Sequence, residues 1–297
     1  MRITTKESSI TRKWYPIYLT LPVLVIFFVF YFLPLLQGFW YSFYDWNGFT
    51  AKWIGFENFS NILVMPRLST AFKNSFIFTF ITSPFKIVLG FLIALAINRK
   101  LKTGNYVRTV IFSPVLLSGI AIGALFTAIL HPSTGILNEF LRTIGLGFLA
   151  ANWLTDTRIA MLSVCMIEIW KYTGFSMTIQ LAGLQNIPRE YYECAEIDGA
   201  SGFKKHLHIT LPLMIPTINN NVFLSLSGGL AVFDIVMAST GGGPGYTTSV
   251  INTLVYTSFG SGRYGEASAI QLVLGLITTA IVLIANRFIA RYEKEVY

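Results

Sequence analysis

The chain has 297 residues, 54% of them hydrophobic and only 12% charged. Soluble domains carry about 25% charged residues, so the composition excludes an ordinary water-soluble globule and points to an integral membrane protein. The net charge of +8 is not a nucleic-acid footprint, because the basic residues cluster in short stretches between apolar runs.

The first stretch, 1–13, is a basic arm carrying Arg2, Lys6, Arg12 and Lys13. The apolar run after it has no small-residue cleavage site behind a short core, so it is expected to be retained rather than removed as a signal peptide. A spanning helix needs about 20 mostly apolar residues. Six runs qualify, at 14–39, 71–97, 107–130, 159–184, 207–238 and 267–288. The expected fold is therefore an all-α domain of six spans over 14–290, followed by a short tail at 291–297. Pro22, Pro34, Pro84, Pro114 and Pro216 fall in or near these runs; membrane helices tolerate proline when neighbours satisfy the freed backbone groups.

Orientation follows from the lysines and arginines. The arm, the connection with Arg99, Lys100, Lys102 and Arg108, the connection with Arg189, Lys204 and Lys205, and the end with Arg287, Arg291 and Lys294 together hold fourteen. The other side holds six, Lys52, Arg67, Lys73, Arg142, Arg158 and Arg263, in longer loops. Both termini and the 186–206 loop are thus expected in the cytoplasm. Trp46, Trp53 and Phe56 give the first outer loop the aromatic content of a membrane interface.

Charges inside a span are costly and usually face the bundle interior or a watery cavity. Glu168, Lys171, Tyr172 and Phe175 follow an i, i+3, i+4, i+7 spacing and so share a helix face. The charged two either neutralise each other as a structural pair or line a path through the membrane, including as a proton relay. On the fifth run, Ser225, Gly228, Gly229 and Val232 share a face, with Phe233 and Asp234 following. Small residues there serve close helix packing or leave room for a ligand, and Asp234 faces a solute or the outer water. Lys86 stands alone beside Pro84 and reads as snorkelling or paired.

Other chemistries lack their residues. No G-x-x-x-x-G-K-[ST] and no H-E-x-x-H occurs. His131, His206 and His208 are not on one span, and Cys165 and Cys194 are too few and too separated for a metal site or an expected disulfide. No catalytic constellation is present, so neither an enzymatic role nor a cofactor bound in this chain is expected. Gly241-Gly242-Gly243-Pro244-Gly245 lacks the lysine of a phosphate loop and reads as an outer turn.

The stretch 190–216 is a polar segment between two apolar runs. It carries Glu193-Cys194-Ala195, Asp198-Gly199-Ala200, then Ile209 and Leu211-Pro212. This resembles the "EAA" loop of binding-protein-dependent ABC import permeases, with cysteine for the first alanine. Further matches run along most of the chain. They include Trp53-Ile54-Gly55-Phe56-Glu57-Asn58-Phe59, Leu181 to Pro188, Phe233-Asp234 with the glycine-rich turn, and Tyr264 to Ala269. They resemble carbohydrate-uptake permeases of the first, maltose- and glycerol-phosphate-type subunit.

The resemblance implies a type I importer permease fold in a bacterial cell membrane, with several partners. These are a second homologous permease, two cytoplasmic ATPase subunits that bind ATP and magnesium, and an extracellular or periplasmic solute-binding protein delivering a sugar or oligosaccharide. It implies that Glu193, Ala195, Asp198, Gly199 and Ala200 transmit the ATPase stroke. It also implies that the sugar meets Glu168, Lys171, Tyr172, Phe175, Ser225, Gly228, Gly229, Phe233 and Asp234. The alternatives are a proton-coupled secondary transporter, which leaves the loop unexplained, and an importer of a non-sugar solute.

Overall fold

The computed structural model describes residues 19–98 and 103–296. The whole basic arm, 1–13, and Arg99, Lys100 and Lys102 lie outside the described residues. The chain is helical almost throughout, because within hydrocarbon each backbone N–H and C=O needs an internal partner. Helix α1, Leu19–Tyr41, contains a π turn at Phe28–Phe32. A two-stranded hairpin follows, β1 (Tyr44–Trp46) antiparallel to β2 (Ala51–Trp53), with Tyr44 opposite Trp53. Asn58 on α2 (Glu57–Val64) donates to the Ser42 and Tyr44 carbonyls at 2.9 Å each, tying the hairpin down.

Helix α3, Pro66–Asn98, runs the length of the second apolar run and carries Pro84. The third run is not one straight helix. Helix α4 (Gly104–Phe112) ends in a 3-10 turn at Ser113–Leu116, and α5 (Gly119–Ile129) leaves it at 98°. The turn is local: Pro114 cannot donate to the Val110 carbonyl, which accepts from Ser113 Oγ at 2.9 Å instead, and Leu117 and Ser118 beyond it are extended. Within α6 (Ile136–Thr143), Asn138 donates to the Pro132 and Ala151 carbonyls and accepts from the Trp153 indole at 2.8 Å, organising the loop that leads to α7.

Helix α7, Ala160–Gln185, covers the fourth run. The signature segment forms α8, Arg189–Ile197. Helix α9, Gly202–Leu230, includes a π turn at His206–Thr210. The fifth run also breaks: α9 ends at Leu230, and α10 (Asp234–Ser239) restarts after a three-residue gap. Asn252 covers that gap by donating to the Ala231 carbonyl at 2.8 Å. Helix α11 (Ile251–Gly260) and the long α12 (Tyr264–Val296) complete the chain. α12 continues through the expected end of the last span, so the tail begins as helix.

Among the described residues, α1, α3, α9 and α12 are each long and apolar enough to cross a bilayer, and α4 with α5 is long and apolar enough only when the bent pair is taken together. At 1.5 Å per residue α7 is about 39 Å long and sufficient in length, although Glu168 and Lys171 interrupt its apolar character. α3 and α7 form the most extensive helix pair. The buried cluster around Phe78, Val164, Ile167, Val232 and Ile235 lies where α3, α5, α7 and α10 meet, and a second around Met177, Leu181 and Met214 joins α7 to α9. Gly174 allows the close approach of α7 to the end of α4: a Cβ there would meet the Ile111 carbonyl. α1 leaves its apolar surface exposed.

Candidate functional site

A cavity of about 360 Å³ lies where α3, α5, α7, α9 and α10 converge, within the size range of small-molecule sites. From α7 it is lined by Glu168, Tyr172, Phe175 and Ser176, from α9 by Leu224, Ser225 and Gly228, and from the gap and α10 by Phe233 and Asp234. The breaks in the third and fifth runs create it. The α9–α10 gap turns Phe233 and Asp234 inward, and Gly119, at the start of α5, seats against Asp234: an added Cβ would come within 2.7 Å of the Asp234 Cβ.

Lys86 of α3 reaches the cavity wall and pairs with Glu168 of α7, Nζ to Oε1 at 3.1 Å, both residues 4% exposed. The partner of Glu168 is therefore Lys86 and not Lys171. Lys171 is buried and donates to the Tyr172 hydroxyl at 3.3 Å, with its ammonium 4.7 Å from the Tyr172 ring centre. Lys86 lies 5.6 Å from the same ring, within cation–π range. Lys171 does not line the cavity. The two glycines also divide. Gly228 faces the open space, with nothing within 4 Å of a Cβ, whereas Gly229 packs on α3 with Thr79 3.0 Å from that position. Close packing thus accounts for Gly229, and cavity space for Gly228.

Sequence reasoning read Lys86 as snorkelling or paired, and it is paired, but did not place it or Ser176 at the site. The available signal for Lys86 was a lone lysine in an apolar run, which requires a counter-ion. Around the cavity, Ser176 accepts from Asn221 at 2.6 Å, Ser83 donates to the Ser225 carbonyl at 3.0 Å, and Gln180 donates to the Ile87 carbonyl at 2.8 Å. These bonds tie α3, α7 and α9 together.

The signature segment lies apart from the cavity. α8 buries Ala195 and half-buries Tyr192, while Tyr191, Glu193, Cys194 and Asp198 are exposed. The buried face therefore centres on Ala195 and Tyr192. Its end is a Schellman turn: Ala200 N–H donates to the Ala195 carbonyl at 2.9 Å and Gly199 N–H to the Glu196 carbonyl at 3.1 Å, with Gly199 at φ +73°. Two further ties fix α8 to α9. The Tyr192 hydroxyl meets Thr210 Oγ1 at 3.0 Å, and Lys205 pairs with Glu196 at 2.7 Å. Tyr191, Ile197 and Phe203 present apolar surface to solvent, with Ile197 86% exposed.

The glycine-rich turn is held from inside. Asn74 of α3 donates to the Tyr246 and Ser249 carbonyls at 3.0 and 2.9 Å. Gly241, Gly242 and Gly245 take positive φ.

Residues 86–296 match the family model described as binding-protein-dependent transport system inner membrane component. The multiple sugar-binding transport system permease protein MsmF of Streptococcus mutans is 30% identical over 97% of this chain and 99% of its own length. The trehalose/maltose transport system permease protein MalF of Thermococcus litoralis is 33% identical over 90% of this chain and 92% of its own. A crystal structure of the bacterial alginate ABC transporter, in complex with alginate pentasaccharide-bound periplasmic protein, aligns with a TM-score of 0.83 and 26% identity over 97% of this chain and 99% of that one. With the signature helix, the breaks in the third and fifth runs and this match over most of its length, the chain belongs to the binding-protein-dependent transport system inner membrane component family.

Proposed function

We propose that this chain is a permease subunit of an ATP-driven importer that takes up a sugar or oligosaccharide delivered by an external solute-binding protein. The observation that carries the proposal is the make-up of the cavity. Tyr172, Phe175 and Phe233 offer rings for the apolar faces of a sugar, while Ser176, Ser225, Glu168 and Asp234 offer hydroxyl and carboxylate partners. The names of the relatives, which include sugar permeases, support the same substrate class.

ATP and magnesium belong to two cytoplasmic ATPase subunits, and a second, homologous permease completes the pore. Glu193, Ala195, Asp198, Gly199 and Ala200 form the helix and turn that an ATPase groove grips. Closure of the ATPase pair displaces α8, and the ties through Tyr192 and Lys205 pass that displacement to α9, which forms part of the cavity wall. The chain is multi-pass in the cell membrane, with both termini in the cytoplasm. A proton-coupled mechanism is disfavoured, because Lys86 already neutralises Glu168 and α8 would have no purpose.

The test is a gentle detergent purification of the tagged chain from its native membrane, with the stoichiometry of co-purifying proteins and sugar uptake by the same cells. One second permease and two ATPase subunits per chain, with ATP-dependent saccharide uptake, are expected. Recovery of this chain alone, still active in uptake, would overturn the proposal.

A further inference from the structure

The charge of the cavity wall carries an inference that rests on the sugar reading above and narrows it. Lys86, Glu168 and Asp234 are the ionisable acids and bases of ordinary physiological charge among the described residues lining the cavity. Lys86 is consumed by its 3.1 Å contact with Glu168, with both groups buried. Asp234 is exposed, and none of the ion pairs among the described residues includes it. The nearby second lysine, Lys171, is turned onto the Tyr172 hydroxyl and ring and does not reach the wall. The lining therefore offers a ligand one uncompensated negative charge and no uncompensated positive one.

We infer that this cavity selects electrically neutral saccharides and rejects uronic acids and sugar phosphates, with the Lys86–Glu168 pair and Asp234 imposing the choice. A sugar carboxylate entering here loses water without gaining a free cation, and it meets Asp234 as a like charge. To use Lys86, it would have to displace Glu168 and leave that carboxylate buried and unpaired. A neutral sugar escapes both costs, because hydroxyls donate to Glu168 and Asp234. The structural neighbour described as importing the acidic polysaccharide alginate shares this fold, so selection by charge must reside in individual wall residues and not in the architecture.

The experiment measures equilibrium binding to the whole permease–ATPase complex in nanodiscs without the solute-binding protein, so that the transporter alone is read. Neutral probes are maltotriose, cellotriose and xylotriose. The acidic probe is trigalacturonate, with its methyl ester as the uncharged control. At least one neutral probe is expected to bind, and the methyl ester to bind at least about tenfold more tightly than free trigalacturonate. In Glu168→Gln, which leaves Lys86 unpaired, and separately in Asp234→Asn, the preference for the ester is expected to shrink severalfold.

Trigalacturonate binding as tightly as its ester in the unmodified complex would overturn the inference while leaving the sugar reading intact. Binding of neither neutral nor acidic saccharide would overturn both.

Discussion

Lys86 and Glu168 sit on helices that meet far apart in sequence, and each depends on the other for its charge to be tolerated away from water. Removing one partner of a buried pair leaves an uncompensated charge and typically costs about 3–5 kcal/mol. Lys86→Met is therefore expected to lower the thermal stability of the purified complex sharply. Lys86→Met with Glu168→Leu should recover most of that loss in the same melt. Phe175, 39% exposed at the cavity, makes no such structural pair. Phe175→Ala is expected to weaken saccharide uptake at unchanged complex yield, and unaltered uptake kinetics would remove it from the site.

These residues also measure what the sequence made legible. Counting from Glu168 at about 100° per residue, Tyr172 and Phe175 fall within roughly 40° of the same direction, while Lys171 is rotated about 60° away. A spacing rule groups all four, yet only Glu168, Tyr172 and Phe175 line the cavity. Gly228 and Gly229 are about 100° apart, so one faced the cavity and the other the neighbouring helix. The Lys86–Glu168 contact was invisible because nothing in a single chain read linearly records which helices pack.

At the level of elements, runs of apolar residues located the helices well, and their breaks poorly. Hydrophobicity stays high through Leu117 and Ser118 although the backbone turns there, and through 231–233 although α9 has ended. Both breaks build the cavity, so the part of the fold that hydropathy conceals is the part nearest the proposed chemistry. α8 was legible because its glycine has a backbone reason. Gly199 at φ +73° closes the Schellman turn, and a residue with a Cβ pays about 1 kcal/mol or more there.

Gly199→Pro cannot adopt that angle and loses the N–H that bonds Glu196. Proteoliposomes carrying it are expected to have ATP hydrolysis unlinked from uptake, or no ATPase bound; normal coupled uptake would refute the lever. Tyr192→Phe removes the bond to Thr210 and is expected to lower the sugar transported per ATP without changing assembly.

For the whole molecule, orientation rests on the distribution of lysine and arginine, and two cysteines make it measurable. Cys194 is exposed on α8 and Cys165 is buried in α7. A membrane-impermeant maleimide is expected to label Cys194 in inverted vesicles stripped of ATPase and not in intact cells, with Cys165 unreactive in both. Labelling of Cys194 from outside would reverse the topology.

The hydrogen bonds and ion pair in the cavity wall act as struts. Ser83 to Ser225, Lys86 to Glu168, and Asn221 to Ser176 cross-brace three helices, so pulling any one of them aside breaks polar contacts made away from water. The wall then behaves as a single plate instead of a set of sliding rods. Alternating exposure of the sugar calls for this plate to tilt as a body against the companion permease. On the proposed reading, the gap that opens and shuts is expected at the seam between the two permeases, a movement that cross-links placed across that seam would block.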